Sequence, residues 1–329
     1  MKRIAILDDY QDFARSLPYW ASLDGRAVVD AYRDTLADED ALVRRLQPYE
    51  IIVPIRERTR FPAPLLRRLP SLELLALTGR NSGHVDVEAA SARGILVTET
   101  EGSGASAIEH TLALLLALVR RIPQEDRAMR QGRWQTGLAV ELSGKTLGIV
   151  GLGRIGSRVA AFGKFLAMRV LAWGPTLDDE RAAAAGARRV PLDELFRESD
   201  VVSVHLRLSE RTRGIIGAEQ ISSMKRGAYF VNTARGALVD EQALLAALQE
   251  SRIAGAALDV YQVEPLPAGH PFRSCENVVL SPHMGFVTAE AYQSFFRQAV
   301  EAIDEYLQGK VPARALNPQA IVQRPPAGR

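Results

Sequence analysis

The sequence predicts an α/β protein of two domains, one of them built on a doubly wound parallel sheet. Three observations carry that expectation. The chain has 329 residues, 47% hydrophobic and 24% charged, enough for two hydrophobic cores. Short apolar runs alternate with helix-like stretches along most of it, which is the pattern of strands and crossovers. In mid-chain, Lys145-Thr-Leu-Gly-Ile-Val-Gly-Leu-Gly-Arg-Ile-Gly156 reads as a buried strand, a glycine-rich turn and the start of a helix.

Up to about residue 100, strand-like runs occur at 4–7, 27–30, 51–53, 72–77 and 95–97, with helical stretches at 38–46 and 85–93. This is a small α/β domain in itself. A long helix is expected over 105–121, with a basic last turn and Pro123 just beyond to stop it, in the place of a rigid connector. Six strands follow, at 146–150, 170–173, 201–205, 228–232, 255–259 and 278–280, each separated by helix-like segments. Six matches the count of a Rossmann sheet. A helix over 288–307 would carry the chain back to the first domain, and 323–329 reads as a frayed tail. The expected division is therefore 1–101 plus 288–329 against 102–287.

The 41 basic and 39 acidic residues are scattered, and a net charge of +2 without a basic arm implies no nucleic-acid partner. A single cysteine, Cys275, allows no intrachain disulfide, fits a reducing compartment and reads as packing. The apolar run 112–119 is too short to cross a bilayer, and the N-terminus enters a strand without a signal-peptide core. A soluble cytoplasmic protein is expected, with no membrane partner. His84, His110, His205, His270 and His283 show no tight metal-ligand spacing, so no metal is expected.

In the glycine-rich turn, Gly151 suits a tight bend, Gly153 lets a pyrophosphate approach bare backbone, and Gly156 lets the helix pack close to its strand. Arg154 and Ile155 complete the turn, whose helix N-terminus faces the anion. The motif is a dinucleotide cradle. Downstream, three polar residues stand at predicted strand exits, where ligands of an open parallel sheet collect: Arg235, Glu264 and His283. A guanidinium can fork onto a carboxylate with two charge-assisted hydrogen bonds. Pro265 holds Glu264 extended. Each residue alone has a plainer reading, as a surface ion pair, a solvated glutamate or a hydrogen-bonded structural histidine. Together they suit hydride transfer to the carbonyl carbon of a 2-oxo acid, which needs a proton donor working near neutral pH and a cation for the carboxylate. A glutamate beside an imidazole orients the ring and favours its protonated form. Asp259 could then fix the amide of a nicotinamide.

The chain resembles the D-isomer-specific 2-hydroxyacid dehydrogenases over nearly its whole length. The matching segments are Gly151-Leu-Gly-Arg-Ile-Gly156, Val231-Asn-Thr-Ala-Arg-Gly-Ala-Leu-Val-Asp240, Ala257-Leu-Asp-Val-Tyr-Gln-Val-Glu-Pro265, Asn277-Val-Val-Leu-Ser-Pro-His283, Val85-Asp-Val-Glu-Ala-Ala90 and Arg93-Gly-Ile-Leu-Val97. The resemblance implies that Arg235 holds the substrate carboxylate, His283 is the acid/base, Glu264 is its partner and Asp259 sits by the nicotinamide. It extends the cofactor contacts to Gly174, His205, Arg207, Thr233, Ala234 and Gly285. It also implies a flavodoxin-like substrate domain and a homodimer built through the cofactor domain, with the segment from about 122 to 142 as an arm.

Several positions depart from that pattern. Eighteen residues after Gly156, where NAD-preferring relatives carry an aspartate, stands Gly174, and no arginine follows at once. NAD and NADP both stay open, with Arg207 able to meet a 2′-phosphate. Where relatives show Gly-Val-Gly for the substrate carboxylate, this chain has Gly79-Arg80-Asn81, and Ser103 stands where many have asparagine. Arg56 and Arg58 fall in another loop that borders the substrate and could receive a second anionic end; a solvated charge run is the plainer reading. Phe286 replaces a small residue and would narrow the pocket. Hydroxypyruvate, glyoxylate or a similar 2-oxo acid is the expected substrate. A 3-phosphoglycerate dehydrogenase is the alternative enzyme, and a nucleotide-sensing, corepressor-like binding protein is the alternative from another class.

Overall fold

Strands that are apolar at almost every position, such as Ile51-Ile-Val-Pro54 and Val201-Val-Ser-Val204, must be covered on both faces, and parallel sheets flanked by helices result. The computed structural model describes residues 1–321, so the expected tail at 323–329 lies outside the described residues. The chain separates into two units, Met1–Ser103 joined by the segment from Thr288 onward, and Gly104–Val287.

The first unit holds β1 (Lys2–Leu7), β2 (Ala27–Ala31), β3 (Ile51–Pro54), β4 (Leu74–Ala76) and β5 (Leu96–Thr98) in the order β2-β1-β3-β4-β5, with every pair parallel. This is the flavodoxin-like order. Ala5, Leu7, Ile52, Leu75 and Val97 face the helices Glu39–Leu46, Ala63–Arg67 and Val87–Ala92. Asp38 and Asp86 cap two of these helices, each accepting a backbone N–H from three residues on. The helix Ala289–Leu307 belongs to the same unit; Phe296 packs 6.0 Å from the Trp20 ring. Asn317 then clamps the chain to β5, accepting from Val97 N at 2.8 Å and donating to Ile95 O at 2.9 Å.

The second unit holds β6 (Thr146–Val150), β7 (Arg169–Trp173), β8 (Arg188–Arg189), β9 (Val201–Val204), β10 (Tyr229–Asn232), β11 (Gly255–Leu258) and β12 (Val278–Leu280). Its order is β12-β11-β10-β9-β6-β7-β8, again parallel. That is the Rossmann order with one strand added at the β12 edge. Alternate residues divide the core. Val150, Val202, Phe230 and Leu258 face one layer of helices, while Ile149, Val201, Val231 and Ala257 face the other. Full burial of a residue such as Phe230 contributes roughly 1.5–3 kcal/mol.

Three expectations need correction. The sheet has seven strands rather than six, because β8 is two exposed arginines at an edge and shows no apolar run. The helix Ala105–Val119 is part of the second unit's core, with Leu114, Leu115, Leu118 and Val119 packed beside Ile149 and Val231. It ends before Pro123, which occupies the first turn of a new helix, Ile122–Arg130, after Arg121 turns through a left-handed φ of 58°. Proline lacks an N–H where a helix start needs none, so Pro123 opens a helix rather than closing one. Among the described residues no helix is long and apolar enough to cross a membrane, and no group of three or more His, Cys, Asp or Glu is placed to hold a metal.

Candidate active site

The exits of the parallel strands in the second unit all open at one end of the sheet, and the polar candidates lie there. After β6 the chain bends at Gly151, φ 100°, where a Cβ would meet the His205 carbonyl carbon and Leu206 N at 2.8 Å. At Gly156 a Cβ would sit 2.2 Å from Gly151 O, so only glycine lets the helix Arg154–Phe165 rise this close to its strand. A Cβ at Gly153 would meet nothing within 4 Å. The backbone there is bare and its N-cap carries no side-chain hydrogen bond, which fits a pyrophosphate accepting the helix's free N–H groups. Ile155 packs into the core, and the Arg154 guanidinium lies 3.0 Å from the position of a Cβ on Gly104.

After β7, a Cβ at Gly174 would make only ordinary van der Waals contact, with Leu177 Cβ at 3.5 Å. Arg181 is turned to Thr176 O, 2.8 Å away. After β9, Arg207 is exposed, and its guanidinium makes no hydrogen bond or ion pair among the described residues. His205 turns inward, its Nε2 2.8 Å from the buried Ser203 Oγ.

That enclosure pushes the His205 imidazole down to about 4. In the unfolded chain the same ring takes up a proton near pH ~6.5, so its contribution to stability is complete above that pH and is lost as pH falls toward 4. The loss is on the order of 1–3 kcal/mol. Urea unfolding of His205→Gln between pH 7 and 4 is expected to show a correspondingly shallower decline; an identical decline would clear His205 of the effect.

The three chemical candidates follow neighbouring strands. Strands in such a sheet lie about 4.8 Å apart, so the exits of β10, β11 and β12 form a row. Arg235 leaves β10 through Thr233 and Ala234. Asn232 ties that turn, accepting from Ala234 N at 3.0 Å and donating to Arg235 O at 3.1 Å, and Thr233 Oγ1 meets Thr111 Oγ1 at 2.7 Å. The Arg235 guanidinium donates to Ala234 O at 2.6 Å. After β11, Glu264 Oε1 accepts from Tyr261 N at 2.9 Å, and Oε2 lies 2.6 Å from His283 Nδ1. With Nδ1 engaged by the carboxylate, Nε2 is the nitrogen left to exchange a proton. Phe286 stands edge-on to that imidazole, ring centroids 5.5 Å apart.

His283 itself has a left-handed φ of 53°, a conformation that costs a non-glycine residue about 1–2 kcal/mol. The next two amides offset it. Met284 N and Gly285 N donate to Asp259 Oδ1 and Oδ2 at 2.7 and 2.9 Å. Burial works to raise the Asp259 pKa, but hydrogen bonds from His110 and Ser281 outweigh it and hold the carboxyl below the usual range. The Gly285 amide is thus engaged within the protein.

In the first unit, Gly79, φ 100°, follows β4 and donates its N–H to Thr100 Oγ1 at 2.6 Å. A Cβ at Gly79 would fall 1.4 Å from Arg56 Nη1, so the guanidinium lies directly on this glycine. Arg58 points elsewhere, donating to Asp8 O at 2.6 Å and stacking on Tyr10. Arg80 is 71% exposed and ion-paired with Glu101. Asn81 is engaged by its own loop, accepting from Gly83 and Val85 amides and donating to Val85 O. Ser103 is exposed. The structure thus groups Arg56 with Gly79 and turns Arg58, Arg80 and Asn81 to structural partners.

Motif reading gave no role to His110, Ser281, Tyr261 or Gly236. At Gly236 a Cβ would meet Tyr261 C at 2.1 Å, so the Arg235 turn and the Glu264 loop touch backbone to backbone. Gly236 follows Arg235 directly, which is the one sequence signal; His110 sits in an apolar helix with none.

A bare-backbone dinucleotide turn in a Rossmann-ordered sheet, together with a carboxylate-backed imidazole four strand exits further along the sheet, defines the class: an oxidoreductase that works with a nicotinamide dinucleotide. The comparisons with known proteins narrow it. Residues 112–285 match the family model for the D-isomer specific 2-hydroxyacid dehydrogenase NAD binding domain. The chain is 42% identical to a glyoxylate reductase of Aeropyrum pernix over 81% of this chain and 83% of that one. It is 38% identical to a D-3-phosphoglycerate dehydrogenase of Archaeoglobus fulgidus over 86% of this chain, which spans only 54% of that longer protein. Among solved structures, a phosphoglycerate oxidoreductase of Vibrio cholerae superposes with a TM-score of 0.89 at 39% identity, covering 94% of this chain and 100% of that one. The chain belongs to the D-isomer specific 2-hydroxyacid dehydrogenase family.

Proposed function

We propose that this protein interconverts a small 2-oxo acid, glyoxylate or hydroxypyruvate, and its D-2-hydroxy acid. The observation that carries this reading is the 2.6 Å contact between His283 Nδ1 and Glu264, set at a strand exit beside that of Arg235. A bound nicotinamide would supply or take the hydride at the 2-carbon. Arg235 would fork onto the substrate carboxylate and face the carbonyl oxygen as charge develops. His283 Nε2 would deliver a proton to that oxygen in reduction and take it back in oxidation, with Glu264 holding the ring. Gly151, Gly153 and Gly156 would cradle the pyrophosphate. Asp259 would keep the His283 loop beside the nicotinamide.

NADH and NADPH oxidation against a panel of 2-oxo acids tests the reading. Turnover of glyoxylate or hydroxypyruvate supports it, and no turnover of any 2-oxo acid with either cofactor overturns it. The guanidinium of Arg56 on Gly79 favours one second reading, a phosphorylated substrate such as 3-phosphohydroxypyruvate. That reading requires turnover of the phosphorylated acid above hydroxypyruvate.

Cofactor choice follows from the exit of β7. Gly174 provides no carboxylate to repel a 2′-phosphate, and Arg207 presents an unengaged cation, so NADP should be accepted alongside NAD. Gly174→Asp is expected to raise the NAD over NADP ratio of kcat/KM by about 10–100-fold, from a new ribose contact and phosphate repulsion together. An unchanged ratio would mean that position 174 does not border the ribose.

Ile122, Met129, Trp134 and Leu138 are 57%, 53%, 73% and 94% exposed, an unusual set of large apolar groups in one segment. We assign that segment to the arm of a homodimer in the cytoplasm. A monomer mass by sedimentation at micromolar concentration would sink the assignment.

A further inference from the structure

The His283 loop is held by a histidine that motif reading passes over. His110 lies in the second turn of the helix Ala105–Val119, and its Nε2 is 3.1 Å from Asp259 Oδ1 and 2.9 Å from Ser281 Oγ. Asp259 leaves β11 and Ser281 leaves β12, and the two are 1% and 6% exposed. One ring nitrogen therefore joins a helix to the exits of two adjacent strands.

What Asp259 does next gives the junction its consequence. Its carboxylate receives Met284 N and Gly285 N, the two amides directly after His283. A left-handed residue followed by amides converging on one anion is a nest, and here the anion is a side chain of the protein. The direction of the His283 side chain is set by that backbone conformation. The same carboxylate also meets His110, so the histidine, Ser281 and the His283 loop converge on one group. Tyr261 braces the same junction, its hydroxyl donating to Leu258 O and Ser281 O at 3.0 Å each.

We propose that His110 is a positioning residue for the reaction: through Asp259 and Ser281 it sets the loop that aims His283, without touching the reacting atoms. The inference rests on His283 as the acid/base, a reading made above. His110 is distinct from the groups assigned there, and it acts on kcat rather than on binding.

Two substitutions test it. His110→Leu keeps the bulk and removes the donor, whereas His110→Asn keeps a donor near the same place. His110→Leu is expected to lower kcat about 10–100-fold with the nucleotide Kd and substrate KM within about two-fold. The primary isotope effect with 4-deuterated NADH should rise as the chemical step slows, and His110→Asn should recover most of the rate. Should His110→Leu fail to fold, Ser281→Ala removes the second partner of the same nitrogen and should show the same pattern more weakly. Wild-type kcat in His110→Leu, or a fall in kcat matched by lost nucleotide binding and an unchanged isotope effect, overturns the proposal. His283→Ala run in parallel separates the two readings. If it is inactive while His110→Leu is normal, only the positioning role fails; if it retains full turnover, the acid/base reading fails and takes the positioning role with it.

Discussion

His283→Ala is expected to lower kcat by ~10²–10⁴-fold while nucleotide affinity stays within about two-fold, as loss of a positioned general acid does. The reason is local. The imidazole is attached to the protein by its Nδ1 contact with Glu264, and its backbone is held by the Met284 and Gly285 amides on Asp259. Removing the ring leaves those amides and the Gly151 to Gly156 turn as they are, so binding and chemistry separate cleanly. Stopped-flow reduction with a saturating 2-oxo acid, beside fluorescence titration of NADH, reads both quantities. Unchanged turnover would remove His283 from its role.

Arg235→Ala should cut kcat/KM for glyoxylate or hydroxypyruvate by ~10²–10³-fold, the cost of losing a charged donor where oxygen gains charge. Arg235→Lys should restore little, because a single ammonium cannot reproduce a planar fork on a carboxylate. The Arg235 backbone is fixed by Asn232 and by the close approach of Gly236 to Tyr261, so the turn should survive loss of the side chain. A kcat/KM within three-fold of wild type in Arg235→Ala would assign carboxylate recognition to another group.

Much of the architecture is legible along the chain. Ile51-Ile-Val and Val201-Val-Ser-Val are runs that only burial on both faces explains. In the dinucleotide turn, the left-handed φ of Gly151 and the approach of Gly156 to the Gly151 carbonyl are local demands, whereas the crowding of Gly151 by His205 and Leu206 comes from a distant strand. The misreadings have equally local causes. Two edge arginines carry no strand signal, and a proline just past a helical run serves equally as a stop or as the first turn of a new helix, so periodicity cannot tell which. Arg80 and Asn81 look alike in sequence as polar additions to a substrate loop, yet one pairs with Glu101 at the surface and the other folds onto its own loop.

By itself, then, the amino-acid order determined two parallel sheets, a dinucleotide turn and the residues available at the strand exits, since these follow from periodicity, sterics and hydrogen bonding over short windows. Tertiary structure alone decided which of those residues act on one another. His110 reaches Asp259 across 149 positions of sequence, and Asp259 reaches Gly285 across 26. Contacts at such separations depend on the strand order β10-β11-β12 and on the helix laid against it, and no short window of sequence contains that order.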